Sequence, residues 1–304
     1  MLSVTEEKGA TEEPAKASRE DVSAYWSCPS CGRQASGGFC QNCGEKRSTA
    51  HDLSVVHFLS HAGELFFHWD SKIFRSLRLL LTRPGYLAVE YVRGCRKPYI
   101  RPFQMFFIAN LLYFLLFPVI GWTGLKTPMN VYKKMFSYSD WASRMADHRA
   151  AAKGMRATEF AHAFDHVIDV QSRSLVLVMV PIFAFVVFFL EWRKHRFYGE
   201  HLAFSFYFYA FWLIASLMVV PFAGSCVILA TNRLGGHLSD RTMDRWMSLV
   251  GLAFIASYLF ISLRRFYGDG IFLAVVKAGL LSMATYYILQ FYRLVLFVTA
   301  LYST

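Results

Sequence analysis

Residues 103–122 read FQMFFIANLLYFLLFPVIGW, a run without a single charged side chain. An α-helix needs about 20 such residues to cross the roughly 30 Å hydrocarbon core of a bilayer. Four further apolar runs follow at 174–192, 206–230, 246–263 and 271–301. The sequence therefore predicts an all-α polytopic membrane protein with about five transmembrane helices.

The composition of the whole chain agrees with this class. Of 304 residues, 55% are hydrophobic and only 17% charged, yet 32 Lys and Arg face 21 Asp and Glu, a formal net charge of +11. Soluble domains average about 25% charged residues. A soluble nucleic-acid binder would explain the basic charge but not the apolar runs, whereas a membrane protein with basic loops explains both.

The basic residues also predict an orientation. With their flanking acids, segments 83–101, 193–200 and 264–270 hold ten basic and four acidic side chains. The short loop at 231–245, which would face the other side, has three Arg and two Asp. Because cytoplasmic loops are enriched in Lys and Arg, we expect a cytoplasmic N-terminus and an extracytoplasmic C-terminus.

The chain divides into four predicted regions. Residues 1–24 are polar and Glu-rich, which predicts a disordered tail. Residues 25–48 hold the cysteines, and 51–102 carry apolar residues at helical spacing, which predicts cytoplasmic amphipathic or interfacial helices. The transmembrane domain is 103–304, with an outer helical loop at 123–173. Basic residues before the first span form a basic collar that would attract anionic lipids: Arg83, Arg93, Arg96, Lys97 and Arg101.

Four cysteines form a C-x2-C-x8-C-x2-C array, namely Cys28, Cys31, Cys40 and Cys43. Two such turns can close a tetrahedral site, which predicts a structural Zn²⁺ ribbon with no open coordination position. The alternatives are two disulfides or a redox pair; a cytoplasmic location disfavours disulfides. Few basic or aromatic residues surround the array, so we expect no nucleic acid.

A second histidine-rich set is His57, His61, Glu64 and His68, at i, i+4, i+7 and i+11. This spacing places the four on one stripe of a helix, where they could form a second metal or proton site. Ligands from one helix seldom complete a metal site. The polar edge of an interfacial helix is therefore the favoured interpretation.

Polar residues inside the apolar runs mark a candidate pathway, because such residues usually face the bundle interior or water. The candidates are Glu200 and His201 at the mouth of the third span, and Tyr286, Gln290 and Arg293, with Ser282, on the fifth. Glu200 and His201 could pair with Arg193 and Arg196. Lys277 and Arg293 both lie within 271–301, so at least one must reach the interface or find a partner.

A short repeat accompanies the turns between spans. Arg196-Phe-Tyr-Gly-Glu200 recurs as Arg265-Phe-Tyr-Gly-Asp269. Both copies fall on a predicted cytoplasmic turn that ends one span and starts the next. Internal duplication and chance similarity at membrane boundaries both remain open.

The chain resembles a family of bacterial inner-membrane proteins known only as a domain of unknown function. The resemblance is carried by Arg83-Pro84-Gly85, by Tyr91-x-x-Gly94-x-Arg96-Lys97 up to Arg101-Pro102, and by Glu200-His201-Leu202. It implies a location in the bacterial inner membrane and a zinc ribbon followed by a multi-span helical domain. It implies no reaction.

These observations favour a non-enzymatic scaffold or assembly factor that docks a cytoplasmic protein or anionic lipid through its ribbon and collar. The alternative is a transporter or channel component that moves a small solute or lipid through the bundle. Nucleotide-binding, hydrolase and metalloprotease motifs are absent from the sequence, so an enzyme ranks third. Oligomer formation is left open.

Overall fold

The structure, a computed structural model, describes residues 25–47, 71–117, 125–134, 136, 138–234 and 240–304. The predicted tail and the histidine-rich set (His57, His61, Glu64 and His68) lie outside the described residues. A two-stranded antiparallel sheet pairs β1 (Trp26–Ser27) with β2 (Gln34–Ala35). The remaining elements are helical.

The helices follow in chain order. They are α1 (Ser71–Thr82), α2 (Tyr86–Val92), α3 (Pro102–Leu116), α4 (Met129–Tyr132), α5 (Ser139–Ala152), α6 (Ala157–Leu190), α7 (Tyr198–Leu234), α8 (Asp240–Tyr267) and α9 (Ile271–Ser303). A 3-10 turn, Trp192–Lys194, lies between α6 and α7.

Among these, four helices are long and apolar enough to cross a membrane: α6, α7, α8 and α9. They correspond to four of the five predicted spans. The remaining predicted span, 103–122, overlaps α3, whose 15 residues extend only about 22 Å. Residues 118–124 lie outside the described part of the chain. The described part of the chain is thus mostly helical, with four candidate membrane spans and one shorter apolar helix.

Helix α7 forms the centre of the bundle, where it contacts α3, α6 and α8. Its aromatic run at 204–212 supplies the core: Phe208 stacks on Phe183 of α6 at 4.7 Å between ring centroids. Phe211 stacks on Tyr258 of α8 at 3.5 Å. The aromatic rings of this run therefore pack between helices.

One end of the bundle carries the α6–α7 and α8–α9 turns together with α1 and α2; we call it the ribbon end. Gly85, at φ +76°, sits so close to α8 that an added Cβ would lie 2.9 Å from the Cα of Ser262. The guanidinium of Arg265 donates to the Pro84 carbonyl at 2.7 Å. This close approach requires glycine, and it fixes the α1–α2 pair on the bundle.

The opposite end, which we call the cap end, is covered by α4, α5 and the first turns of α6. Phe297 of α9 packs against Tyr132, Trp141 and Phe164 of these elements, with ring centroids 5.0 to 5.7 Å apart. Helix α9 is continuous over 33 residues, about 50 Å. Its length beyond one span therefore extends into the cap. Helix α6 likewise runs without a break through residue 173.

Candidate metal centre and buried charge cluster

The four cysteines of the ribbon converge on one point. The Sγ atoms of Cys28 and Cys43 are 3.5 Å apart, those of Cys31 and Cys40 are 3.6 Å apart, and all four lie within 4.8 Å of one another. Zn–S bonds of about 2.3 Å in a tetrahedron would place sulfurs about 3.8 Å apart. All four are free thiols, so the cluster could hold a metal ion.

Two matching backbone turns produce this convergence. The Gly32 N–H donates to the Cys28 carbonyl and the Gly44 N–H to the Cys40 carbonyl, each at 2.8 Å. Both glycines have positive φ, +72° and +70°, a conformation that glycine adopts at little cost. A hydrogen bond from the backbone of Arg33, followed by one from the Asn42 side chain, lowers the pKa of Cys31 to about 6. Against a backbone hydrogen bond at Glu45, burial and the neighbouring thiols raise the pKa of Cys43 to about 12. The crowded thiols therefore do not ionise together in the absence of a cation.

The ribbon is fixed to the collar by one buried carboxylate. Oε2 of Glu45 accepts hydrogen bonds from the backbone N–H groups of Arg96 at 3.1 Å and Lys97 at 2.8 Å. It also accepts one from the Ser30 hydroxyl at 2.5 Å. Glu45 is only 4% exposed. Three donors on one carboxylate satisfy its charge without a cation, and they tie residues 30 and 45 of the ribbon to residues 96–97.

Cys95 completes this contact, a role that the sequence did not reveal. Its buried Sγ lies 3.5 Å from the Ser30 hydroxyl, and burial raises its pKa. The position of Glu45, directly after the second cysteine turn, was the available sequence signal. It was missed because no pattern links a residue of the ribbon to one 50 positions further along the chain.

The collar residues have different environments. Arg96 packs over the ring of Tyr91 at 4.8 Å, and Arg83 lies 5.9 Å from the ring of Tyr86. Arg93 is exposed and pairs with Glu90 at 3.5 Å. Arg101 is the residue that precedes α3. The collar is thus a layer between ribbon and bundle, with some cations packed on aromatic rings.

Lys277, the first of the two cations inside the apolar run of α9, forms ion pairs with two acidic side chains. Its Nζ lies 2.7 Å from Oε1 of Glu191 and 2.9 Å from Oδ2 of Asp269. All three side chains are at least 90% buried. Lys194 adds a partly exposed ion pair to Asp269 at 3.1 Å. The group joins the α6–α7 turn, the α8–α9 turn and α9, and we call it the charge cluster.

The two acids of the charge cluster are perturbed in opposite directions. Burial, opposed by Lys277, raises the pKa of Glu191. Burial alone would raise the pKa of Asp269 as well, but hydrogen bonds from Lys277 and Lys194 lower it. Oε2 of Glu191 is buried without a hydrogen-bond partner among the described residues, whereas each oxygen of Asp269 faces a lysine Nζ, at 2.9 Å for Lys277 and 3.1 Å for Lys194. The cluster therefore has balanced charge but leaves this oxygen of Glu191 unsatisfied.

The two copies of the repeat meet beside this cluster without being equivalent. Arg196 pairs with Glu200 at 2.7 Å and also donates to the Phe266 carbonyl at 3.1 Å. Nδ1 of His201 lies 2.7 Å from the Tyr267 hydroxyl. The first copy begins α7, whereas the second ends α8. The predicted pairing of Glu200 is therefore found with Arg196, and the repeat serves as a contact between hairpins.

The candidate residues on α9 are not gathered into one interior face. Ser282 is buried and donates to the carbonyl of Ala278 in its own helix at 2.7 Å. Tyr286 is 40% exposed, and Gln290 and Arg293 are half-buried. Arg293 also lies about 33 Å along α9 from Ile271, near the cap end, whereas Glu200 and His201 lie at the ribbon end. The structure does not place these residues together.

Comparison with known proteins finds one family. Residues 70–114 match a family described as "Protein of unknown function (DUF3667)". That stretch holds α1, α2, the collar and most of α3, the layer on which the ribbon rests. No curated protein matches the chain, and no solved structure does. The similarity is therefore to a family of unknown function, in agreement with the resemblance found in the sequence.

Proposed function

We propose that the protein is a non-enzymatic membrane scaffold that docks a partner through its ribbon and collar. The observation that carries this proposal is the Glu45 carboxylate held by Ser30, Arg96 and Lys97. A ribbon on a flexible tether would search for its partner, but a ribbon fixed to the collar presents one preorganised surface. Binding to a preorganised surface loses less conformational entropy.

The partner that we propose is a cytoplasmic protein, with anionic lipid beside it. Phe39 and Tyr25 on the ribbon are 61% and 78% exposed, and exposed aromatic residues commonly anchor protein interfaces. Exposed arginines surround the ribbon end: Arg83, Arg93, Arg193, Arg264 and Arg265. Their charge supports a cytoplasmic ribbon end in a bacterial inner membrane, with the C-terminus on the other side.

The metal that we propose is structural Zn²⁺, because four thiolates in a tetrahedral arrangement are its usual closed site. When bound, it would supply the folding energy of a ribbon that has almost no core of its own. Elemental analysis of the purified protein should give one zinc per chain. Replacing Cys28 and Cys40 by Ser should remove it, and the matched control Cys226→Ser should keep it. Zinc that persists without Cys28 and Cys40 would contradict the assignment.

Docking is tested by photo-crosslinking in intact membranes from a crosslinker at Phe39. Wild-type protein should yield a discrete crosslinked partner. Glu45→Gln, which weakens the hold on Arg96 and Lys97, should reduce that product several-fold. The control Glu159→Gln makes the same chemical change on an exposed residue of α6 at the cap end, and it should leave the product unchanged. Background-level crosslinking in the wild type, or equal products in all three proteins, would reject the docking function.

A transporter is the second candidate, and the charge cluster is the observation that favours it. Buried ionisable residues in membrane proteins often mark ion or proton pathways, and Glu191 keeps an unsatisfied oxygen among the described residues. Vesicles containing the protein should then show a proton flux that Glu191→Gln abolishes and Glu90→Gln leaves intact. Flux equal to that of empty vesicles would exclude this candidate.

A further inference from the structure

Arg293 lacks the acidic partners that Lys277 has. None of the described acidic side chains forms an ion pair with it, and its Nε is buried without a hydrogen-bond partner. The residue is half-buried, so its guanidinium is held partly in the protein and partly at the surface. A desolvated cation without a counter-ion costs free energy, and a bound anion would recover that cost.

Aromatic residues of the cap hold this guanidinium in place. Its Cζ lies 5.4 Å from the ring centroid of Phe136. Phe136 in turn stacks on Tyr138, with centroids 5.2 Å apart and planes 6° from parallel. The Tyr132 hydroxyl donates to the Arg293 carbonyl at 2.9 Å, which fixes the backbone beneath. Arg293, Phe136 and Tyr138 therefore form a small preorganised group, which we call the arginine cup.

The cup has a second donor that lacks an acceptor. The Tyr138 hydroxyl is buried and has no hydrogen-bond partner among the described residues. Burial raises the pKa of Tyr138, although the charge of Arg293 opposes this, so the hydroxyl is protonated at neutral pH. The hydroxyls of Tyr132 and Tyr292, which also feel the charge of Arg293, are already used in hydrogen bonds to carbonyls.

The position of the cup along the membrane normal indicates which class of anion could reach it. Arg293 lies 22 residues after Ile271, about 33 Å along the helix, which is close to the thickness of the hydrocarbon core. The guanidinium would thus lie at the level of lipid phosphates on the cap side. A planar guanidinium with a neighbouring hydroxyl donor suits the tetrahedral oxygens of phosphate.

We propose that Arg293, Phe136 and Tyr138 form a binding site for a phosphate group at the cap end of the bundle. The guanidinium donates to two phosphate oxygens, and the Tyr138 hydroxyl donates to one of them or to a third. Phe136 keeps the guanidinium plane in position. The phosphate belongs either to a lipid headgroup or to a water-soluble phosphate compound. This site is separate from the ribbon and collar, so it does not depend on the docking function.

The test is thermal unfolding of the purified full chain in a phosphate-free maltoside detergent, followed by tryptophan fluorescence. One arm titrates inorganic phosphate, and a second titrates short-chain phosphatidylglycerol below its micelle concentration. Sodium chloride at equal ionic strength is the salt control. Wild-type protein should show a saturable rise in melting temperature in at least one arm. A response to lipid alone assigns the lipid source, and a response to inorganic phosphate assigns the soluble source.

Three variants show whether the cup is responsible. Arg293→Met should lose the saturable response, whereas Arg144→Met, which removes an exposed arginine of the same cap, should keep it. Tyr138→Phe keeps the stacked rings and removes only the hydroxyl, so the dissociation constant should rise about tenfold.

A wild type that responds in neither arm, or an Arg293→Met variant that responds like wild type, overturns the proposal. If Arg293→Met does not fold, an unchanged constant in Tyr138→Phe overturns it. An equal response to sodium acetate overturns the assignment to phosphate.

Discussion

Lys277 and Arg293 lie on the same helix, but the two ends of the bundle treat their charges differently. At the ribbon end, Lys277 is buried between Glu191 and Asp269, and Glu45 is held by three donors. At the cap end, Arg293 rests on an aromatic ring with no described acidic partner. The difference shows that a cation in an apolar run can have either of two roles. A compensated cation holds helices together, and an uncompensated one is available to a ligand.

Removing Lys277 gives the largest expected effect. Lys277→Met leaves two buried carboxylates without their shared cation, which should lower the free energy of unfolding by about 3–5 kcal/mol. Unfolding titrations in detergent micelles measure this change. A triple variant that also carries Glu191→Gln and Asp269→Asn should recover most of the loss, because no buried charge is then unpaired. A single variant as stable as wild type would mean that the charge cluster does not hold the hairpins.

Acidification should weaken the same end of the molecule by a smaller amount. The pKa of Asp269 is lowered in the folded protein, so its contribution to stability is present above its ordinary pKa of 3.8 and is lost as the pH falls through the lowered value. The pKa of Glu191 is raised in the folded protein, so Glu191 has the opposite effect: its contribution to stability is present at low pH and is lost as the pH rises. Melting temperatures at pH 6 and pH 3 should therefore differ more in wild type than in Asp269→Asn.

A steeper acid loss in Asp269→Asn than in wild type would show that other carboxylates dominate, and that the ion pairs to Lys277 and Lys194 contribute little. The exposed acid Glu159 provides a matched control, since Glu159→Gln removes a carboxylate from the opposite end. Its acid dependence should match that of wild type.

Arg293 should behave in the opposite way to Lys277 when no phosphate is present. Arg293→Met removes a partly desolvated cation and no ion pair, so the free energy of unfolding should change by less than about 1 kcal/mol in either direction. The same detergent titrations measure it beside Lys277→Met. If Arg293→Met lowers the free energy of unfolding as much as Lys277→Met does, the two cations do not differ. Arg293 would then also stabilise the fold.

Ser282 should have the smallest effect. Its hydroxyl bonds only to the carbonyl of Ala278 in its own helix, so Ser282→Ala should change stability by less than about 0.5 kcal/mol. Micelle unfolding measures this too. A change of several kcal/mol, or an altered phosphate response in the cap, would give the residue a role that the structure does not show.

The class of the protein and its cysteine cluster follow from local sequence. Apolar run length predicts the four long helices, and cysteine spacing predicts the site, because both depend on neighbouring residues. The partners of Lys277 were not predictable, since Glu191 lies 86 residues away and reaches it only when two hairpins pack. The contact of Glu45 with the collar spans about 50 residues in the same way.

The proposed stripe on α9 shows a different limit. A step of four residues turns an α-helix by about 400°, so each step drifts about 40° around the axis. Ser282 and Arg293 share a face, but Tyr286 and Gln290 drift away from it, and Tyr286 emerges 40% exposed. Sequence spacing alone therefore placed more residues on one face of α9 than the structure does. The side that each residue faces is decided by α6 and α8, which pack against α9.

The central claim is that the ribbon and collar form one fixed surface at the ribbon end. The most direct measurement is the distance distribution between spin labels on noncanonical residues at Gln41 and Arg93, both exposed, in zinc-loaded protein reconstituted in membranes. A single narrow distance in wild type that broadens in Glu45→Gln is the expected result. A broad distribution in wild type itself would show a tethered, mobile ribbon and would contradict the account.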